Sequence, residues 1–493
     1  MLKLLKRIGI IDIGSNSIRL VVFDGPRRSP LYLYNEKVFF KLGMQSFGGK
    51  PFDTNTIEAV SRIINRYVAI CRNMETSKII MFGTSALREA SNSTVLVELI
   101  RKKTNIDVDV ISGEKEALYA AQGILLGFPN AEGVICDLGG NSVEFANIRK
   151  GLVTDCNSAL LGPLSIKKLG KKFVGLDSYI RSELLRVINV KSAKEKPIFL
   201  IGGSWRAIAK IHMQRTKYPL KIIQGYKVES KKLKKTLEFI QDSTFLDKYD
   251  EINISAERSE LLPESARLLE IIIDELQINV LTFSSFGVRE GLIYQNLGDA
   301  EKKKDPLIEA AKFFEKKEAR FPKMSKHTYK WISPLYKDLP RKTRRLISAA
   351  CKLHDVAWIA HPDYKMEMCL ELVTRSNISG LSHKERVFLA MILLFRHKAK
   401  PEKVFSSKLF RIVSKKKRKI AFVIGKGLRL ASTFFGEKNL FDKIDFRLKA
   451  QQVDLCFKSK IDFINGEVVE RRVQELNKAL KSYVNENVEK KSF

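Results

Sequence analysis

The 493-residue sequence predicts an α/β protein with two related halves followed by a helical C-terminal domain. Three observations carry this. Apolar runs repeatedly end in a small, Gly-containing turn and pass into helical periodicity. One hairpin-like segment occurs twice, its acid at Asp12 in the first copy and Asp137 in the second. Beyond "NLGDAEKKKDPLIEAAKFFEKK" the glycine turns thin out and helical spacing takes over.

The elements follow in order. Residues 8–24 read as two strands around the turn of "IIDIGSNSIRL". "SKIIMFGTSALREA" is a buried strand, a loop and a helix, and "IDVDVISGEKEALYAAQGILLG" repeats the plan, with its helix from Glu114. "GVICDLGGNSVEFANI" is strand–turn–strand. "PIFLIGGSWRAIAKI" and "LTFSSFGVREGLIY" are again strand, Gly turn and helix. A linker is expected near 296–306. The expected domains are 1–128, 129–300 and a helical 307–493, with the last residues, "NENVEKKSF", frayed.

Charge is the compositional outlier. The 88 Lys and Arg outnumber 55 Asp and Glu, for a formal charge of +33. Such a surface attracts polyanions (nucleic acid, anionic membrane or a phosphate polymer), although lysines filling solvated faces give the same excess. The six cysteines form no CxxC pair and sit among apolar neighbours, which reads as a reducing, cytoplasmic setting. "MLKLLKRIGI" is interrupted by Lys3, Lys6 and Arg7, and no run of 18 apolar residues exists, so membrane insertion is not expected.

The turns carry the chemistry. A phosphate chain is held most simply by backbone N–H groups converging on a concavity, and Gly and small polar residues permit that approach. "DIGSNS" (Asp12, Gly14, Ser15, Asn16, Ser17) and "DLGGNS" (Asp137, Gly139, Gly140, Asn141, Ser142) fit this description. "TSALRE" and "GGSWRA" add small-residue turns with an arginine close behind, Arg88 in the first. One such turn alone is an ordinary tight turn; four at strand ends, two mutually related, point to a phosphate cleft. Asp12 and Asp137 end their strands, and Glu144 lies on the strand returning from Asp137. Carboxylates beside phosphate require a cation between them, and Mg²⁺ held by one or two carboxylates plus phosphate oxygens answers that need. Glu116 is either a first-turn glutamate favoured by the helix dipole or a general base for water.

In order, "IDIGSNSIRL", "GTSALREA", "VISGEKEA", "CDLGGNSVEF", "LLGPLSIKK", "IGGSWRAIA" and "FGVREGLIY" resemble the exopolyphosphatase/guanosine pentaphosphate phosphatase (Ppx/GppA) family over roughly residues 7–300, and the helical remainder more loosely. The resemblance implies two RNase H-like domains of the actin/sugar-kinase/heat-shock ATPase type around a phosphate cleft, with an HD-like all-α domain after them. It implies Mg²⁺-assisted hydrolytic release of terminal orthophosphate from inorganic polyphosphate or, alternatively, 5′-phosphate removal from guanosine pentaphosphate. By position, Glu116 matches the family's catalytic glutamate. Asp137 and Glu144 match its catalytic and metal carboxylates. Asp12 with Gly14–Ser17 matches the first phosphate loop, Gly139–Ser142 the second, and Arg88 the cleft arginine. Nucleic acid is not implied as the main ligand, and a homodimer is, since such proteins often dimerise.

There are departures. Asn141 stands where the family usually has a third glycine, and Lys115 where it often has a glutamate. That lysine is expected either to lower the pKa of Glu116 or to help hold substrate. A cleft arginine is expected near "ERSELLPESARLLE", at Arg258 or Arg267. In the helical part, His354–Asp355, with His327, His361, Asp363 and His397, resembles an HD-type metal site, against helix-packing His and Asp. The basic run Ser414–Lys419 reads as a guide for a polyanion or as a solvated face. Two other classes fit less well. A kinase or chaperone ATPase of the same fold uses a different catalytic residue, and a decayed polyanion-binding protein would not keep Asp12, Glu116, Asp137 and Glu144 together.

Overall fold

The apolar runs of the first 300 residues form two sheets. The first contains Ile8–Ile13 (β1), Ser17–Phe23 (β2), Tyr32–Phe39 (β3), Lys78–Gly83 (β4) and Asp109–Val110 (β5), in the order β3-β2-β1-β4-β5. The second contains Gly133–Leu138 (β6), Val143–Arg149 (β7), Leu152–Ala159 (β8), Ile198–Gly202 (β9), Tyr226–Glu229 (β10) and Val280–Phe283 (β11), in the order β10-β11-β9-β6-β7-β8. In both, the hairpin is antiparallel and its first strand is parallel to the next one in: β1 to β4, and β6 to β9. Reversed, the second sheet repeats the plan of the first, with β10 added at one edge. The duplicated hairpin is therefore a duplicated sheet. The computed structural model describes residues 6–170, 174–242, 254–397, 400–434, 440–450, 452–458 and 464–489. The expectations for residues 1–5 and for the last four residues lie outside them.

The helices of this part are Leu42–Gln45 (α1), Thr54–Asn73 (α2), Ser85–Glu89 (α3), Ser93–Thr104 (α4), Gly113–Gly127 (α5), Pro163–Gly170 (α6), Leu176–Val187 (α7), Val190–Ala193 (α8), Gly203–Arg215 (α9), Ser230–Gln241 (α10), Ala256–Ser259 (α11), Leu262–Glu275 (α12) and Val288–Gln295 (α13). Successive strand residues point to opposite faces, which sorts the side chains. Ile11, Ile13, Leu20 and Val22 pack outward on α2 and α4. Ile8, Ile10, Val21 and Phe23 pack inward on Tyr119 of α5 and on Leu292 and Ile293 of α13. In the second sheet Cys136, Leu138 and Phe145 face α7, α9 and α12. Ile135, Ala146 and Ile148 face Ala117, Ala120, Ile124 and Leu125 of α5. Helices α5 and α13 thus touch the inner faces of both lobes. By the same alternation Asp12, Asp137 and Glu144 point to those inner faces.

The chain divides into two compact units, Met1–Lys304 and Asp305–Phe493. Among its described residues the second is helical apart from one hairpin, Ile444–Lys449 with Gln452–Phe457. Trp331 anchors it, packing edge-on against Phe434, Phe441 and Phe446 and donating its indole N–H to Ile444 O at 2.6 Å. Among the described residues no helix is long and apolar enough to cross a membrane.

The crossing of α5 and α13 depends on two glycines. A Cβ added at Gly291 would lie 1.7 Å from Tyr119 O, and one at Gly123 would lie 2.2 Å from Gly287 O. Both neighbours are backbone and cannot swing aside. Gly291→Ala is expected to lower stability by about 1–3 kcal/mol through overpacking, seen as a fall in thermal midpoint. An unchanged midpoint would show that the crossing has slack.

Candidate active site

The two hairpin turns have one geometry. Gly14 N–H donates to Ser17 O at 3.1 Å, and Gly139 N–H to Ser142 O at 3.0 Å. Each turn is held from outside by its carbonyls. Gly43 N–H donates to Ser15 O (2.8 Å) and Phe40 N–H to Asn16 O (3.2 Å); Leu164 N–H donates to Gly140 O (2.9 Å) and Gly162 N–H to Asn141 O (2.8 Å). In a trans peptide the N–H points opposite to the C=O. The N–H groups of Asn16, Ser17, Asn141 and Ser142 are therefore aimed away from those flanking segments. The turns also lie against each other, since a Cβ added at Gly140 would be 3.1 Å from Ser15 Cβ.

Beneath the turns the sheets present two rows of side chains. On the second sheet Asp137, Glu144 and Ser158 sit directly opposite one another across β6, β7 and β8. Ser158 Oγ donates to Glu144 Oε1 at 3.0 Å, while the buried Glu144 Oε2 has no hydrogen-bond partner among the described residues. Glu116, buried in the first turn of α5, completes an acidic group. The N-cap Ser112, whose Oγ accepts from Lys115 N–H, starts that helix where the preceding strand ends. Arg88 Nη1 donates to Glu116 Oε2 at 2.9 Å and to Ile111 O at 2.8 Å, which fixes the carboxylate. Burial pushes Glu116 up to about 7, against the pull of Arg88 and with a further push from Asp137 and Asp12. Burial likewise lifts Asp137 to about 6, opposed by Arg206 and Arg289. Glu144 is raised well above its usual range by burial and then by Glu116 and Asp137. These acids are close enough to repel one another in a poorly solvated place.

The first sheet keeps the aspartate but carries positive charge at the next two equivalent positions. Asp12, Arg19 and Lys37 lie in register across β1, β2 and β3. Arg19 thus takes the place that Glu144 holds in the second hairpin. Arg289, in the first turn of α13, bonds Asp12 at 2.9 Å, and Asp12 is raised by burial against the pull of Arg289 and Arg19. Arg206 and Lys210 on α9 and Arg258 on α11 add to the cationic side. Burial, then Arg258, Arg19, Arg206 and Arg289, push Lys37 down to about 8. Arg19 is lowered to about 10 by burial and by Arg289 and Arg206. Like charges directly opposite on neighbouring strands destabilise a sheet, so this cationic row works against the fold that holds it. Arg19, Lys37, Lys210 and Arg289 escaped the sequence reading, which noted Arg206 only as the arginine behind the "GGSWRA" turn. Aligning the two hairpins residue by residue, with Arg19 on Glu144, was the available signal.

The structure bears on three readings that the sequence left open. Lys115 neither approaches Glu116 nor lowers its pKa: it pairs with Asp109 at 2.6 Å on the exposed side of α5, and Arg88 is the cation at Glu116. Of the two candidate arginines, Arg258 lies over the Gly202–Gly203 turn, whereas Arg267 pairs with exposed Asp177. The HD-like pair is engaged by arginines. Arg320 bonds Asp355 Oδ1 through Nε (3.0 Å) and Nη2 (2.5 Å), and Arg396 Nε donates to His354 Nδ1 at 3.3 Å. His361 and Asp363 are exposed and pair with each other. Guanidinium groups on both residues repel a metal ion, so these side chains read as helix packing. Among the described residues no group of three or more His, Cys, Asp or Glu is arranged to hold a metal by side chains alone. Lys415, Lys416 and Lys417 of the basic run are exposed at the start of the helix Lys415–Ala431. The six cysteines are all free thiols.

Comparison with known proteins agrees with this architecture. Residues 337–484 match the family described as exopolyphosphatase, C-terminal. Exopolyphosphatase 1 of Mycobacterium tuberculosis is 23% identical over 325 residues, covering 62% of this chain and 92% of that protein. Retrograde regulation protein 2 of Saccharomyces cerevisiae is 23% identical over 448 residues, covering 79% of this chain and 72% of that one. The crystal structure of an exopolyphosphatase from Cytophaga hutchinsonii superposes with a TM-score of 0.51 at 22% identity, over 59% of this chain and 97% of that one. The Aquifex aeolicus PPX-GPPA enzyme gives 0.50 at 20%, over 59% and 99%. These likenesses show a shared fold. The decisive match runs from the second strand of the first sheet through the last helix packed between the lobes, residues 22–300 and more than half of the chain: this protein belongs to the Ppx/GppA phosphatase family.

Proposed function

We propose that this protein is an exopolyphosphatase that hydrolyses the terminal phosphoanhydride bond of inorganic polyphosphate with Mg²⁺ as cofactor. The observation that carries the reading is the opposition of two rows on equivalent strands. Arg19 and Lys37, extended by Arg206, Lys210 and Arg258, offer cationic positions for a chain of phosphates; Asp137 and Glu144 offer acids beside Glu116. The cationic side has more positive groups than one terminal phosphate requires, which favours a long polyanion over guanosine pentaphosphate. Exopolyphosphatases among its relatives add support. Six free thiols accord with a reducing compartment such as the cytoplasm.

In this reading the Gly14–Ser17 and Gly139–Ser142 turns hold the terminal phosphate through their N–H groups. Arg88 keeps Glu116 in place, and Glu116 takes a proton from the attacking water. The water oxygen bonds to the terminal phosphorus, and the bridging P–O bond breaks, leaving its electron pair on the shortened chain. Positioning and charge neutralisation carry such a reaction. A hard cation fits beside Asp137 and Glu144, because Glu144 Oε2 is buried without a partner and the acids there repel one another. With two side-chain carboxylates, water and phosphate oxygens would complete its shell, and the ion would neutralise charge on the transferring group.

Glu116→Gln is expected to cut phosphate release from polyphosphate by about 10²–10⁴-fold, with polyphosphate affinity nearly unchanged; wild-type turnover in this variant would move the base elsewhere. Because the base works deprotonated and burial raises it to about 7, activity should rise with pH across neutrality and fall away on the acid side. Raised acids hold protons in the folded state that the unfolded chain has already lost. Stability should therefore fall as pH rises from the ordinary glutamate value of 4.5 to about 7. Mg²⁺ should then raise the thermal midpoint more at pH 8 than at pH 5, and an equal shift at both would argue against a cation among these acids. Polyphosphate affinity should fall steeply with salt, and Arg19→Ala with Lys37→Ala should flatten that dependence by about one unit of log–log slope per lost phosphate contact. An unchanged slope would remove this row from the substrate path.

A further inference from the structure

Helix α3 is five residues long, yet three of its side chains reach three different parts of the cleft. Ser85, Arg88 and Glu89, spaced i, i+3 and i+4, share one side of the helix. Ser85 Oγ lies 2.7 Å from Ser15 Oγ in the first turn. Arg88 holds Glu116. Glu89 faces the second turn, on the other lobe, where Asn141 Nδ2 lies 3.3 and 3.4 Å from its two carboxylate oxygens.

Asn141 is fully buried, and its Nδ2 also donates to Gly43 O at 3.1 Å. A buried amide must find acceptors. Both that it finds, Gly43 O and Glu89, belong to the first lobe, whereas its own backbone O is bound by Gly162 N–H and Ser165 Oγ of the second. Gly43 is the connecting point: its N–H holds Ser15 O of one turn and its C=O holds Asn141 of the other. No larger residue fits there, because an added Cβ would be 2.6 Å from Asn141 Oδ1 and 2.7 Å from Ser15 Cβ. Lys168 of α6 adds a tie between the lobes, donating to Met44 O at 2.8 Å and lying over the Phe47 ring. Among the described residues Asn141 Oδ1 is buried without a partner, a cost that the bonds of Nδ2 offset.

We propose that Asn141 and Glu89 form an interlobe latch that holds the second phosphate turn against the first lobe, making Glu89 a positioning residue for that turn. The proposal rests on the reading of this cleft as the phosphate site. Separating the lobes breaks the Asn141 bonds to Gly43 and Glu89 together, so the latch favours the closed arrangement before substrate arrives. A glycine at 141 has no side chain to make these bonds. Without the latch, part of the binding free energy is used to close the cleft, which weakens apparent affinity and leaves the bound state as it was.

The test compares Asn141→Gly, Glu89→Ala, Glu89→Gln and the Asn141→Gly/Glu89→Ala double variant, each shown to fold by its thermal transition. Phosphate release from long-chain polyphosphate should give a KM raised about 10-fold in either single variant, with kcat changed by less than about 2-fold in Glu89→Ala. The double variant should be no worse than the singles, and Glu89→Gln, which keeps an acceptor oxygen, should restore KM. Independent effects in the double variant, or Glu89→Gln as impaired as Glu89→Ala, would overturn the latch. Amide hydrogen exchange of the free protein over residues 40–46 and 139–143 decides without turnover: it should quicken in Asn141→Gly and Glu89→Ala and stay slow in Glu89→Gln. Unchanged exchange in the first two overturns the proposal. Should the wild type release no phosphate from polyphosphate, the exopolyphosphatase reading falls while exchange still decides the latch. If Asn141→Gly fails to fold, the two Glu89 variants decide it.

Discussion

The close crossing of α5 and α13 is the constraint on which the cleft depends. Each helix packs toward the inner faces of the sheets, and the backbones approach so closely that only glycine is tolerated at 123 and 291. Glu116 lies in the first turn of α5 and Arg289 in the first turn of α13. Joining the helices near Tyr119 and Gly291 brings these two first turns to the strand ends where Asp12 and Asp137 stand. Widening the crossing would move the acid and the arginine away from the rows they serve. Burial there also raises the carboxylates, because two sheets and two helices leave little water around them.

Duplication of one sheet supplied two equivalent surfaces, and the side chains on them have diverged in charge. Asp12 and Asp137 keep the same strand position. Seven residues on, the first copy has Arg19 and the second Glu144, each directly opposite its aspartate. The third strand continues the contrast, with Lys37 on one side and Ser158 on the other. One wall is cationic and the other acidic. The shared backbone keeps the turns alike, while side chains on the period-2 face carry the difference. Like charges on the cationic wall repel one another and destabilise the free protein.

The helical unit is put together differently. An aromatic group around Trp331 anchors it, and its buried histidine and aspartate are bound by arginines. A cation in place of a metal keeps Asp355 paired and His354 neutral, and burial with the neighbouring Arg396 holds that histidine well below its usual range.

By itself the sequence determined the strand–turn–helix plan, the duplicated hairpin and the acids at its strand ends. These are local matters: period-2 patterning, small residues at tight turns and a capped first turn are written in neighbouring positions. It also placed Glu116 and Arg88 among the candidates, since both follow a turn by a few residues. Only tertiary structure decided which charges share the cleft. Arg19 and Lys37 look like solvent-facing strand residues until their strands are paired. Arg258 and Arg267 are indistinguishable until α11 and α12 are placed. Lys115 adjoins Glu116 in the chain, but one helical residue is a turn of about 100°, enough to send it to Asp109 on the exposed side. In the sequence Asn141 is only a residue standing where the family usually has glycine; its bonds to Gly43 and Glu89, 98 and 52 residues away, exist only when the two lobes face each other.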